Sequence, residues 1–138
     1  MDILARKNLW EAGMDYKHGT GHGVGSYLCV HEPPYGVSRG YKFKFVEGMC
    51  VSDEPGFYKE GEFGIRIENV IMCVKHPVHE NFYTWENLTV APYCRDLIDK
   101  DLLSPRDIRF IDAFHVKCRE LLTPLLADDP RAIDYLNR

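Results

Sequence analysis

No run of about 18 apolar residues occurs in the 138-residue chain, so no segment is suited to cross a membrane as a helix. No signal-peptide pattern opens it, and it has no internal repeat or low-complexity stretch. Its five cysteines, Cys29, Cys50, Cys73, Cys94 and Cys118, are widely spaced and form no CxxC, which removes support for a zinc ribbon. An odd count without a secretory signal argues for free thiols in a reducing compartment, and a cytoplasmic location is expected. The sequon Asn87-Leu88-Thr89 then has no consequence. Clustered basic charge is missing as well. The net charge is −4, and the nearest basic stretch, Arg39, Lys42 and Lys44, is broken by Phe43 and Phe45. A nucleic-acid partner, which requires grouped Lys and Arg, is excluded, and a membrane partner is not expected.

What the chain does have is the composition of a folded domain, 45% hydrophobic and 28% charged. A domain of this length buries roughly 65–70% of its unfolded surface. Asp2 is placed to N-cap a helix reaching Ala12, with Ala5, Leu9 and Ala12 on one face and Gly13 as the stop. The abrupt entry into that helix is how a segment cut from a longer protein begins. Next comes His18-Gly19-Thr20-Gly21-His22-Gly23-Val24-Gly25, whose glycines rule out a regular helix. Strands are expected over Ser26–His31, Met49–Glu54, Phe63–Val74 and Phe82–Val90. Pro33-Pro34-Tyr35-Gly36 forms a turn, and residues 35–48 read as irregular. In the long 63–74 run, Ile65, Ile67 and Ile71 point one way and Arg66, Glu68, Val70 and Met72 the other. Ser104-Pro105-Arg106-Asp107 is a helix start, followed by the stripe Ile108, Ile111, His115, Cys118, Leu122. Pro124 ends that helix, and Asp129-Pro130 opens a last one to about Leu136. Helix, then strands, then helices imply an α+β fold with an antiparallel sheet.

Three histidines, His18, His22 and His31, fall within fourteen residues, and Glu54 and Glu68 sit on separate predicted strands. Taken singly, each histidine reads as a hydrogen-bonded loop residue and Glu54 as a solvated strand end. Glu68 lies inside an apolar run, where a carboxylate needs a cation, either Arg66 or a metal. Together the imidazoles and carboxylates suit Mn²⁺, Zn²⁺, Co²⁺ or Fe²⁺ better than Ca²⁺ or Mg²⁺. Glutamates on neighbouring strands can bridge two ions roughly 3.5–4 Å apart.

Four motifs in order carry a resemblance. Asp-Tyr-Lys-His-Gly-Thr-Gly-His-Gly-Val-Gly-Ser at 15–26, Val-His-Glu at 30–32, Asp-Glu-Pro-Gly-Phe-Tyr at 53–58 and Gly-Ile-Arg-Ile-Glu-Asn at 64–69 resemble the aminopeptidase P family. Glu86-Asn87-Leu88-Thr89 with Pro92 resembles the segment that follows there. The family comprises Xaa-Pro aminopeptidases with the pita-bread metallopeptidase fold. The resemblance implies that residues 1–95 form the C-terminal half of a catalytic domain, antiparallel sheet with helices on one side, and 96–138 a helical extension packed on it. It implies that His22, Glu54 and Glu68 are metal ligands, with Glu54 also the general acid/base and Glu68 bridging. His18 and His31 then line the substrate pocket and steady the tetrahedral intermediate, and Arg66 supports the bridging carboxylate. Two divalent ions are implied, Mn²⁺ first and Zn²⁺ or Co²⁺ next, activating a bridging hydroxide for attack on the carbonyl before proline. The partner implied is a peptide with proline in second position.

The departure matters as much. The family's site has five protein ligands, two of them aspartates on a hairpin that would precede this segment. The chain is therefore expected to hold three of five ligands, to bind metal weakly and to lack peptidase activity. A peptide- or protein-binding module that has lost catalysis is the alternative, opposed by the intact His22, Glu54 and Glu68. A methionine aminopeptidase or prolidase is a further reading, opposed by Gly-Thr-Gly-His-Gly-Val-Gly with Val-His-Glu. The tail 104–138 reads equally as a homodimer contact or as a helix packed on the sheet.

Overall fold

Helix α1 covers Asp2–Glu11 in the computed structural model, which describes residues 1–138 throughout. The N-cap is Met1, not Asp2 as expected from the sequence. Asp2 is instead 5% exposed, and its carboxylate accepts from Arg6 Nε and from the Thr20 hydroxyl. A buried charge needs its counter-ion more than the first turn needs a cap, and Arg6 one turn later supplies it. The helix ends as expected. Gly13 has φ +72, its amide donates to the Trp10 carbonyl, and the Met14 amide donates to the Leu9 carbonyl. This is a Schellman motif, which requires the left-handed residue that glycine supplies.

Two short strands follow, β1 at Gly21–His22 and β2 at Gly36–Val37, paired antiparallel. The expected strand over Ser26–His31 is absent. The Gly25 amide donates to the Cys29 carbonyl and the Glu32 amide to the Gly23 carbonyl, closing the segment into a loop. Leu28 at its tip has φ +54, outside any strand. Tyr27, Leu28 and Val30 mimic a strand in composition but lie exposed.

Strands β3 (Cys50–Asp53), β4 (Gly56–Lys59), β5 (Phe63–Arg66), β6 (Asn69–Lys75) and β7 (Tyr83–Asn87) complete the sheet region. The run read as one strand over 63–74 is two, β5 and β6, with Ile67 and Glu68 between them. Strand β5 pairs with β4 and β6 with β3, and the two ladders share one register: Asp53 faces Asn69, and Gly56 faces Arg66. The interruption falls where Pro55 faces Ile67. Proline has no N–H to give the ladder, so one direction of pairing stops, while the Ile67 amide still donates to the Pro55 carbonyl. Glu68 is consequently exposed in a break, not mid-strand as read from the sequence. Strand β7 adds to β6, giving the order β3-β6-β7, so the single antiparallel sheet resolves into three small sheets. The α+β class with antiparallel pairing holds.

The chain forms two compact units, Met1–Thr89 and Val90–Arg138. In the first, Val51 and Cys73 on the β3–β6 ladder and Tyr16 are buried alongside the polar groups Arg6, Thr20 and Ser52. In the second, helix α2 (Pro105–Leu122) opens with the expected capping box, Ser104 and Asp107 bonding each other's backbone amides. It buries Phe114 and Cys118. A 3₁₀ turn at Thr123–Leu125 follows Leu122, as Pro124 requires. Helix α3 (Pro130–Asn137) is capped by Asp129 and buries Leu136. No helix is long and apolar enough to cross a membrane.

Candidate metal centre

The register of the β3–β6 and β4–β5 ladders builds the site. Continued one step past Asp53 and Asn69, it sets Glu54 opposite Glu68 at the break. Strand β1 lies against the same edge. Gly23 bridges Val51, the His22 amide donates to the Ser52 hydroxyl, and the Glu54 amide donates to the Thr20 carbonyl at 2.7 Å. His22, Glu54 and Glu68 therefore converge, one donor atom from each lying within 4.8 Å of the others. Metal bonds of roughly 2.0–2.2 Å span little more than 4 Å between donors, so a small turn of the exposed Glu68 closes the set around one ion.

Glu54 is 8% exposed. Its Oε1 accepts from the Ser52 hydroxyl at 2.9 Å and faces His22 Nε2 at 3.1 Å, and its Oε2 lies 3.5 Å from Arg66 Nη1. His22 Nδ1 lies 2.9 Å from the Gly23 carbonyl, which can only accept, so Nδ1 carries a proton. That leaves the Nε2 lone pair pointing at a carboxylate oxygen. Two acceptors at 3.1 Å need a positive charge between them, either a second ring proton or a metal ion. The donor chemistry and this contact both fit a bound divalent cation. Nearby Asp53 adds negative charge: its side chain reaches solvent, yet partial desolvation and the adjacent Glu54 hold its carboxyl above the ordinary range.

His18 is brought to the same region by a different route. Its Nδ1 donates to the Gly19 carbonyl at 2.8 Å, so Nε2 is the acceptor of the Tyr58 hydroxyl at 2.7 Å. Tyr58 in turn accepts from Arg66 Nε at 2.9 Å. Gly56 faces Arg66 across the ladder, and a side chain there would run into the Tyr58 phenol, so glycine leaves the space in which Tyr58 meets Arg66. The hydrogen bond to Tyr58 holds the Arg66 guanidinium further above its ordinary pKa, against some desolvation, and Glu54 and Glu68 add to this. His31 packs edge-on against His22 with ring centroids 4.2 Å apart, on the exposed loop.

All six residues singled out in the sequence thus fall into one cluster. The residue missed is Tyr58, which links His18 to Arg66. It stands inside the Asp-Glu-Pro-Gly-Phe-Tyr motif, but only the β4–β5 register reveals its reach. The second unit holds a cleft of about 870 Å³ lined by Tyr93, Arg95, His115, Arg119 and Tyr135 among others, and none of the six site residues borders it.

Comparison with known proteins bears on the family and the fold. The model of metallopeptidase family M24 matches residues 1–75, and that of the C-terminal region of peptidase M24 matches residues 81–138. Aminopeptidase P1 of Lotus japonicus is 46% identical over 144 residues, covering 100% of this chain and 22% of the relative. A probable Xaa-Pro aminopeptidase P of Tuber melanosporum is 42% identical over 146 residues, covering 100% of the chain and 24% of the relative. The crystal structure of an X-prolyl aminopeptidase from Caenorhabditis elegans, described as a cytosolic enzyme with a di-nuclear active site, superposes with a TM-score of 0.90 at 35% identity. That match covers 98% of this chain and 23% of that one. The chain spans about a quarter of the length of these relatives.

Proposed function

Because this chain belongs to metallopeptidase family M24, we propose that it carries part of the catalytic centre of an Xaa-Pro aminopeptidase, with His22, Glu54 and Glu68 as metal ligands. The observation that carries this is the approach of His22 Nε2 to Glu54 Oε1 at 3.1 Å with Nδ1 already committed, and Glu68 within reach. A pair of divalent ions, Mn²⁺ first and Zn²⁺ or Co²⁺ next, would supply an activated water and polarise the carbonyl before proline. Around that centre Glu54 takes and returns the proton of the attacking water. Arg66 holds the other oxygen of Glu54, so that Oε1 faces the site. His18 and His31 bind the substrate carbonyl region, His18 as the group whose Nε2 exchanges Tyr58 for substrate. The substrate is a peptide with proline second. Residues 1–95 are assigned to the C-terminal half of the catalytic domain and 96–138 to a helical extension, with 104–138 as the candidate dimer contact. A cytoplasmic location is supported by the description of the Caenorhabditis elegans enzyme as cytosolic.

Three donors gather in this chain, whereas two ions held by bridging carboxylates need more. The isolated chain therefore binds metal weakly and does not cleave Xaa-Pro peptides. The same convergence weighs against a binding module without catalysis, which has no need of three aligned donors. The deciding experiment is a Mn²⁺ titration of the chain followed by paramagnetic broadening of its NMR signals. Broadening centred on His22, Glu54 and Glu68 and removed by Glu54→Gln is expected. Broadening elsewhere, or none at millimolar Mn²⁺, sinks the assignment.

A further inference from the structure

The most heavily bonded side chain of the first unit lies outside the site. Arg6, on α1, is 5% exposed and touches none of the proposed ligands. Its Nε donates to both Asp2 carboxylate oxygens, at 3.1 and 3.0 Å. Its Nη1 donates to Asp15 Oδ1 at 2.7 Å and to the Tyr16 carbonyl at 2.6 Å, and its Nη2 donates to the His18 carbonyl at 2.5 Å. The guanidinium also lies over the Tyr16 ring, 3.9 Å from its centroid. An arginine bonded to two backbone carbonyls two residues apart fixes the path of the chain through them. Only a planar fork of donors does this; an ammonium is a point charge.

The segment it fixes is the one that delivers His18. The Tyr16 and His18 carbonyls bracket Lys17 and set the direction in which the His18 side chain leaves the backbone. From there the bonds run on: His18 Nε2 to the Tyr58 hydroxyl, Tyr58 to Arg66 Nε, and Arg66 Nη1 to Glu54 Oε2. A second arm leaves the same cluster. The Thr20 hydroxyl donates to Asp2 Oδ1 and lies 2.5 Å from the Tyr16 hydroxyl, while the Thr20 carbonyl accepts from the Glu54 amide. The buried Asp2–Arg6 pair therefore grips the glycine-rich segment on both sides of Gly19.

We propose that Arg6 is a positioning residue of this site, whose fork of hydrogen bonds to the Asp15–His18 backbone and side chains holds His18 against Tyr58 and so places its imidazole for substrate. A burial role alone does not need this geometry, since a buried ion pair is weak support for stability on its own and is often matched by apolar packing. What the pair provides is orientation of a segment in which Gly19, Gly21, Gly23 and Gly25 leave the backbone free to wander. The role assigned to His18 rests on the functional reading above, but its placement by Arg6 does not.

The test compares Arg6→Lys with Cys73→Ala in the whole chain, the latter being a buried β6 substitution that lowers stability without touching the 15–18 segment. Both are studied well below their melting temperatures, with the nuclear Overhauser contact between the His18 and Tyr58 rings as the readout. Arg6→Lys is expected to lose that contact while keeping the β3–β6 cross-strand contacts, and Cys73→Ala is expected to keep both. Retention of the His18–Tyr58 contact in a folded Arg6→Lys chain overturns the proposal, as does its equal loss in Cys73→Ala. Should Arg6→Lys fail to fold, Asp15→Asn decides. It removes the charge on one exposed acceptor of the same fork, and an unchanged His18–Tyr58 contact there also overturns the proposal. Mn²⁺ broadening at His22 is recorded on the same samples and is expected to survive Arg6→Lys, because the Thr20 arm remains. Absence of that broadening in the unsubstituted chain defeats the metal assignment alone and leaves the His18 comparison to decide the positioning role.

Discussion

His18 and His22 stand four residues apart, each followed by glycine, and in both the ring Nδ1 donates to the carbonyl of that glycine. The local sequence thus produces one tautomer twice. The two regions differ only in what meets Nε2. At His18 it is a hydroxyl, held by Arg66 from the β4–β5 hairpin and backed by Arg6 from α1. At His22 it is a carboxylate on the edge of β3, with a second carboxylate close by. An imidazole facing a donor is satisfied as it stands and can exchange that donor for a substrate group. One facing carboxylates is satisfied only by a cation. Under the proposed function the same dipeptide would serve as a substrate contact at one end of the segment and a metal ligand at the other, and the difference is set by tertiary neighbours rather than by local sequence.

The largest way to break this contrast is to remove what holds the His18 end. Arg6→Met leaves the Asp2 carboxylate buried, with the Thr20 hydroxyl at 2.7 Å and Arg39 at 3.7 Å as its remaining partners. Removal of one member of a buried pair costs about 3–5 kcal/mol, and urea unfolding should show a loss toward the lower end of that range. Next in size is the metal side. His22→Ala should weaken Mn²⁺ binding by about 100-fold or more, beyond the 10–100-fold typical of losing a supporting group. His18→Ala should leave Mn²⁺ binding unchanged. Equal effects of the two substitutions in a titration would erase the distinction drawn between them.

A pH series sharpens the same comparison more gently. Desolvation alone would raise Asp2, but hydrogen bonds from Arg6 and Thr20, with the Arg6 and Arg39 charges, outweigh it and hold the carboxyl below its ordinary value. Asp15 is lowered too, first by its hydrogen bond from Arg6. A carboxyl with a depressed folded-state pKa binds fewer protons folded than unfolded. Its stabilisation is therefore full above the unfolded value near 4 and is lost as pH falls through the lower folded value. Unfolding midpoints should fall from about pH 5 downward, and Asp2→Asn should flatten that fall. A Asp2→Asn chain with an undiminished acid slope would show that the His18 end is not held by this pair.

How much of this is legible in the sequence depends on the range of the contacts. Elements set by neighbours a few residues apart are readable: the Gly13 stop, the Ser104–Asp107 capping box, Asp129 before Pro130, and strands β3 and β7 to within one to three residues at each end. Elements decided at longer range are not. Tyr27, Leu28 and Val30 look like a strand until Gly25 and Glu32 bond back on their own loop. The 63–74 run looks unbroken until it faces Pro55. Its alternation still carries the right parity, since the shared register keeps Arg66 opposite Gly56 and Glu68 at the position opposite Glu54. The motif residues of the site are recognisable one by one, but their supports are not. Asp2 reads as an N-cap and Arg6 is not singled out, because only the return of residues 15–20 buries the pair. Tyr58 closes a recognised motif, but its reach to His18 and Arg66 shows only with its partner strand.

The finest probe of the contrast is Tyr58→Phe, which deletes one hydroxyl and leaves the ring. Two bonds end there, one donated to His18 and one accepted from Arg66. Tyr58 is 43% exposed, so water replaces part of what is lost and the stability change should stay near 0.5–1 kcal/mol. The sharper consequence is positional. His18 keeps its bond to the Gly19 carbonyl and its Arg6 tether but loses its stop on Nε2, so its ring should show rotamer exchange in NMR relaxation. Arg66 loses the acceptor that fixes Nε and should hold Glu54 Oε2 less firmly, weakening Mn²⁺ binding by about tenfold, the small end of what a supporting partner costs. A double-mutant cycle with Arg6→Lys then separates the two regions. Both substitutions act on His18, so their effects on its ring dynamics should be strongly non-additive, while their effects on metal binding should add, because the Arg6 fork does not reach His22. Additivity in the ring dynamics would mean that Arg6 and Tyr58 act on different groups, and the chain of bonds from α1 to Glu54 would be a contact list without a function.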